Sequence, residues 1–163
     1  MTPESASRSQ FESILERLRA GELQEALSTC DQLLTEHPGD INLMGLKAVA
    51  LGDMGEISAA RSVLLEVIAR APGFAKPHED LGTLLLKSGD VEQSLQSFQR
   101  AVELDPGLAT AHYQMGRAFA ALARPRKAAS AYQRCIELAP NNAAAWLGLG
   151  HIHNILGHEQ ESI

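Results

Sequence analysis

Three histidines, His151, His153 and His158, stand close together near the end of the chain. Imidazoles at such spacing could hold a zinc ion if three or four ligands converged. The spacing works against convergence, because His151 and His153, two residues apart, leave a helix from different faces. His153 falls at a position that the periodicity described below reserves for a core ring, and His158 opens the next predicted helix. His78 and His112 share a register with Trp146 and read as packing residues. The two cysteines, Cys30 and Cys135, are too far apart and too few for a disulfide framework or a zinc site, so both are expected as buried, reduced thiols. Acidic residues such as Glu92, Glu103 and Glu137 fall at exposed helical positions and read as a solvated face. No glycine run has the phosphate-cradling GxxxxGKS/T or GxGxxG form. With several Ser, His and Asp residues in the chain, no triad can be singled out. The residues therefore predict no catalytic group, no metal and no cofactor, and hence no enzyme within this chain.

Composition narrows the classes further. The chain has 163 residues, 45% apolar, with 14 basic against 20 acidic residues and a net charge of −6. That balance argues against nucleic acid, whose phosphates call for a basic stripe. The opening MTPESASRSQ lacks the apolar stretch of a secretory signal. No apolar run reaches the roughly 20 residues needed to span a bilayer, and Arg, Lys or Glu interrupts every Ala-rich segment. A cytoplasmic protein without membrane contact is the expectation.

What positions these residues is a repeat. Pro38, Pro72, Pro106 and Pro140 are separated by 34 residues each, and Gly21, Gly55, Gly89 and Gly157 keep the same step, with Ala123 in the fourth place. Ala26, Ala60, Ser94, Ala128 and Ser162 form a small-residue series, and Cys30, Leu64, Phe98 and Tyr132 an apolar or aromatic one. A further series, Ala48, Gly82, Gly116 and Gly150, lies three residues before Leu51, Leu85, Phe119 and His153. Several independent columns on one period are the mark of a repeat architecture.

Each column has a physical task. Small residues let two helices approach closely, and the larger ones fill the space beside that contact. The glycines mark a turn that needs positive φ, and each Pro follows a helical pattern that it cannot extend. Between these marks apolar residues recur at helical spacing, as in Val63, Leu64, Val67 and Ile68, or Ser94, Leu95, Phe98 and Ala101. Strand-type alternation is absent, and the predicted fold class is all-α.

These columns resemble the tetratricopeptide repeat, whose pattern is W-x₂-L-G-x₂-Y, then A-x₃-F, then P. The third repeat matches at Leu81, Gly82, Leu85, Phe98, Ala101 and Pro106. The fourth matches at Met115, Gly116, Phe119, Ala128, Tyr132 and Pro140, and the fifth at Trp146, Leu149 and Gly150. The resemblance implies a right-handed superhelical solenoid of antiparallel helix pairs, about four and a half repeats long. Residues 1–7 are expected to be a flexible N-terminus and 8–163 the array, with repeats at approximately 8–40, 41–74, 75–108, 109–142 and an incomplete 143–163.

Two departures carry expectations. In the first repeat Phe11, Ile14, Leu15 and Leu18 stand one residue closer to Gly21 than the period requires, which predicts a turn shortened by one residue. Pro125 follows the fourth turn, where a first helical turn accepts it. At the far end GHEQESI repeats the opening of the earlier second helices, GELQEAL and GEISAAR, and is expected to begin another. A solenoid end calls for a polar cap. Since none is visible, further repeats, another domain or packing on a second copy is expected to cover it.

In the family the first helices of successive repeats line a concave groove. Carried over by register, that surface would comprise Asn42, Gly45, Leu46, Val49 and Asp53, then Lys76, Glu79, Asp80, Thr83 and Lys87. It would continue with Thr110, Tyr113, Gln114, Arg117 and Ala121, then Leu147, His151 and Asn154. The resemblance implies a scaffold that binds a peptide or protein partner there. Two known groove chemistries do not carry over. Leu46 and Asp80 stand where chaperone-binding members present Asn or a basic residue, and Asp80 would repel a carboxylate. Of the Asn ladder found in glycosyltransferase-associated members only Gln114 keeps an amide, against Leu46, Asp80 and Gly148. The alternative is a recruiting or dimerising N-terminal arm of a larger enzyme, with a sulfotransferase- or glycosyltransferase-like domain downstream.

Overall fold

A computed structural model describes residues 7–161, with side chains described over 7–157. The expected flexible N-terminus, except for Ser7, lies outside the described residues, as do Ser162, Ile163 and the His158 side chain. Among the described residues the elements are all helical: α1 (Arg8–Ala20), α2 (Leu23–Glu36), α3 (Ile41–Asp53), α4 (Ile57–Arg70), α5 (Ala75–Ser88), α6 (Val91–Leu104), α7 (Ala109–Ala121), α8 (Pro125–Leu138) and α9 (Ala143–Glu161). The fold is an all-α helical-repeat solenoid. The chain divides into two compact units, Met1–Leu84 and Leu85–Ile163, the division falling inside α5.

One turn chemistry recurs. The amide of Glu22 donates to the carbonyl of Arg17 at 2.9 Å, as Glu56 does to Leu51, Asp90 to Leu85 and Arg124 to Phe119. These are the six-to-one bonds of a Schellman motif, which satisfy carbonyls left open at a helix end. They require one left-handed residue, supplied by Gly21, Gly55 and Gly89 at φ 77°, 85° and 90° and by Ala123 at φ 51°. Because the four bonds share one 34-residue step, the first turn is not shortened. What is displaced is the apolar phase of α1: Ile14, in the column of Ala48, is fully buried, and Leu18 packs beside it.

In the first unit Ile14, Ala26, Cys30, Leu33 and Leu43 form a core to which Phe11, Leu34 and Leu46 add their flanks. Asp40 caps α3, its side chain accepting from the amides of Asn42 and Leu43 at 2.9 and 3.2 Å. In the second unit Ala128, Tyr132, Cys135, Ile136, Ala145 and Ile152 form one core cluster, and Phe98 is fully buried as well. The small-residue column, Ala26, Ala60, Ser94 and Ala128, is completely buried in both units. Both cysteines are buried free thiols.

The last helix departs from the period. α9 runs on through Gly157, where the sequence predicts a turn. Among the described residues no second helix pairs with α9 as one does with each earlier first helix. The face of α9 that such a helix would cover is open. His153, expected in the core, is exposed, while Ile152 is buried in its stead. Gly150, expected at a close contact, has nothing within 4 Å of where its Cβ would lie. Trp146 is 54% exposed. Its indole nitrogen still donates to the carbonyl of Pro140 at 2.8 Å, and His112 Nε2 meets the carbonyl of Pro106 at 3.4 Å one repeat earlier. A ring at this register thus clips the proline turn that precedes its helix.

Candidate binding trough of the first unit

The first helices of the repeats in the first unit, α1, α3 and α5, present a trough of about 590 Å³. Phe11, Leu15 and Leu18 form its α1 wall, and Ile41, Leu46 and Val49 its α3 wall. Phe74 and Pro77 close the α5 side. The helical period explains the grouping, since Leu46 and Val49 are three apart and Asn42 and Leu46 four apart, which puts them on one stripe. Gly45 lies in this stripe with open space where a side chain would be, so it leaves the floor wide. Polar groups stand among the lining residues, from Arg19, Asn42, Lys76 and Asp80.

Lys76 is already engaged. Its Nζ lies 2.5 Å from an Asp80 carboxylate oxygen and 3.1 Å from one of Glu79. Burial pulls against its charge, but the Asp80 and Glu79 carboxylates outweigh that and hold its pKa above the ordinary lysine value. Burial raises the Asp80 pKa, and the ammonium of Lys76 only partly counters it. Two carboxylates on one ammonium leave little positive potential for an incoming anion.

The groove residues expected from the sequence separate into groups. Asn42, Leu46, Val49, Lys76 and Asp80 line the trough together, with Gly45. Glu79 does not belong to an open surface: it is only 5% exposed, turned in beneath Lys76. Asp53, Thr83 and Lys87 are not among the lining residues. Phe11, Leu15, Leu18, Ile41, Phe74 and Pro77 were not reached by carrying the family groove over, because α1 is out of phase with the other first helices and Phe74 and Pro77 stand at the helix start rather than on the groove register. Apolar residues recurring along α1 and standing at the starts of α3 and α5 are the sequence signal that points to them.

In the second unit Tyr113, Gln114 and Arg117 share one side of α7, with Arg117 donating to Gln114 Oε1 at 3.0 Å. Tyr113 is half-buried and stacks at a tilt on Tyr132, ring centroids 5.9 Å apart. His151 and Asn154 are exposed on α9, beside Leu147 at 77% exposure. Gly148 is a packing position: a Cβ there would lie 2.7 Å from the Tyr132 ring. Among the described residues no group of three His, Cys, Asp or Glu side chains could hold a metal ion, and no helix is long and apolar enough to cross a membrane.

Comparison with known proteins agrees with the helical-repeat fold. Three family models, each described as tetratricopeptide repeat, match residues 17–79, 74–141 and 131–163. Tetratricopeptide repeat protein 33 of Xenopus laevis is 32% identical over 79 residues, which are 48% of this chain and 31% of that protein. The matched stretch thus spans about a third of the relative's length. Among solved structures, TTC0263, a thermophilic TPR protein of Thermus thermophilus, superposes with a TM-score of 0.81 at 20% identity, covering 93% of this chain and 84% of that one. A structure of MamA gives 0.74 at 20% identity over 87% and 83%. The first TPR of Spaghetti (RPAP3), bound to the HSP90 peptide SRMEEVD, gives 0.70 at 20% identity over 72% and 93%. At these identities the structural likeness speaks for the fold alone.

Proposed function

We propose that this chain, which belongs to the tetratricopeptide-repeat family, is a protein-interaction scaffold whose first unit holds a partner segment by its large apolar side chains. The observation that carries this reading is the trough of α1, α3 and α5, walled by aliphatic and aromatic residues on three helices and left wide by Gly45. A single leucine or phenylalanine side chain buried there would contribute about 1.5–3 kcal/mol, roughly one to two orders of magnitude in affinity. The peptide-bound neighbour supports binding of a peptide by such an array, but its acidic ligand is not the chemistry favoured here. Lys76 is held by Glu79 and Asp80, and Leu46 offers no hydrogen bond. Apolar anchors therefore supply the affinity, with Asn42 and Arg19 available to hold the backbone or a polar flank.

The test is to select peptides from a displayed random library on the purified chain and measure their binding by fluorescence anisotropy. Selected peptides are expected to carry large apolar residues and to lose at least about tenfold in affinity to Leu46→Glu, which places a charge on an apolar wall. Leu46→Glu is expected to retain its far-UV circular dichroism, since Leu46 is only half-buried. Selected peptides lacking apolar anchors, or bound equally by Leu46→Glu, would overturn the reading.

A further inference from the structure

The fourth repeat carries a charge pattern foreign to the rest of the chain. From Pro106 to Ile136 there is no Asp or Glu, while Arg117, Arg124, Arg126, Lys127 and Arg134 supply five of the chain's 14 basic residues. The remainder is left with nine basic against 20 acidic residues. At the same register one repeat earlier stand Asp90 and Glu92, where this repeat has Arg124 and Arg126, and two repeats earlier Glu56 precedes Arg124. The fold itself favours the acidic version, because these positions open a helix and the N-terminal end of its dipole attracts negative charge. Arg124, Arg126 and Lys127 oppose that dipole and repel one another. Among the described residues none of the three meets a carboxylate, and only Arg134 does, at 2.8 Å from Glu137.

These cations rim a cleft. Between α7 and α8 lies a depression of about 460 Å³ whose floor is formed by Met115, Phe119 and Ala131. Arg126, Lys127 and Arg134 stand around it, Lys127 with its Nζ 5.8 Å above the Phe119 ring. Met115 and Phe119 leave α7 on the side roughly opposite Tyr113 and Arg117, so the cleft is distinct from the face that the family groove would use. His112 also lines it, and burial lowers its pKa, with nearby Arg134 adding to the effect and the Pro106 carbonyl opposing it. It thus remains a neutral ring at neutral pH.

We infer that this α7–α8 cleft is a docking surface for an acidic peptide segment that carries an apolar side chain. The carboxylates would answer the unpaired cations at the start of α8, and the apolar side chain would cover Met115 and Phe119. Charge complementarity selects the partner, and the apolar floor selects a peptide over a bare polyanion, since phosphate gains nothing from Phe119 and Met115. A duplex would also have to approach the strongly acidic remainder of the molecule.

The experiment uses the purified chain and a labelled peptide of Asp and Glu residues with one central Phe, read by fluorescence anisotropy. Binding is expected to weaken with salt and to fall about tenfold when the Phe is replaced by Ser. Arg126→Glu/Lys127→Glu is expected to reduce affinity at least about tenfold. Ser130→Glu, an exposed helix position lining the cleft, is expected to weaken it in the same direction without altering the melting curve. The control Arg8→Glu/Arg100→Glu, which makes the same charge change on other helices, is expected to bind as the parent does. Equal loss in that control would overturn the proposal, as would a labelled oligonucleotide that binds more tightly than the peptide. So would concentration-dependent self-association that Arg126→Glu/Lys127→Glu abolishes, which would make a second copy the occupant.

Discussion

The packing of Tyr132 yields a quantitative test of how the second unit is held together. Its ring sits between α7 and α9, with glycine on each side. A Cβ on Gly116 would lie 2.6 Å from the ring's Cδ1 and Cε1, and a Cβ on Gly148 would lie 2.7 Å from Cζ. Ordinary carbon contacts lie near 3.5–4.0 Å, so either Gly→Ala change demands a shift of about 1 Å. The ring cannot retreat from one glycine without closing on the other. Overpacking of this kind costs about 1–3 kcal/mol, against which alanine regains about 0.5–1 kcal/mol of helix propensity. The net loss for Gly116→Ala or Gly148→Ala is up to about 2.5 kcal/mol, or up to about 10 °C in melting temperature for a chain of this size. Gly45→Ala is the matched control, because nothing lies within 4 Å of its Cβ position. It should gain about 0.5–1 kcal/mol. Thermal melts followed by far-UV circular dichroism measure all three. Tyr132→Leu combined with Gly116→Ala should be less damaging than the sum of the single changes, since removing the ring removes the clash. If Gly116→Ala and Gly148→Ala melt at or above the parent, as Gly45→Ala should, the close contact with the ring does not hold the unit.

Two further outcomes follow from named residues. Ala123 takes the left-handed conformation that glycine supplies at the other three turns, at φ 51°. Ala123→Gly relieves that strain at the cost of unfolded-state entropy and should raise the urea midpoint by the equivalent of about 0.5–1 kcal/mol, while an unchanged or lower midpoint would refute the strain. Burial pushes the Cys30 thiol from 9.0 up to about 11, with Asp31 adding to the rise and Lys47 opposing it. Above pH 9 the unfolded chain loses this proton while the folded one keeps it, so stability falls as pH rises toward the folded value, by about 2–3 kcal/mol at full effect. Cys30→Ala should lessen the decline between these pH values, and an identical slope in urea titrations would show that the thiol is not the source.

The repeat period, most of the helical elements and the turns at Gly21, Gly55 and Gly89 were legible in the sequence because local chemistry sets them. Proline cannot extend a helix from within and glycine takes positive φ without a steric cost, so Gly21, Gly55 and Gly89 mark their turns without reference to anything distant. The completely buried column of Ala26, Ala60, Ser94 and Ala128 was legible too, since each repeat makes the same close helix contact. Burial elsewhere depends on what arrives to cover a face, and periodicity is silent on that. At Gly157 α9 continues where the turn residue predicts a stop, and among the described residues no second helix covers its face, so His153 and Gly150 lie open in places the period assigns to the core. Ile14 occupies a small-residue column because α1 packs in its own phase. Glu79 reads as a groove residue by register, but the fold turns it under Lys76 and removes both from the surface's free charge. The sequence by itself thus determined the helical repeat and the turns at Gly21, Gly55 and Gly89, but not the backbone at Gly157. Only tertiary packing decided which of its side chains stay exposed, because exposure is a property of two surfaces and not of one.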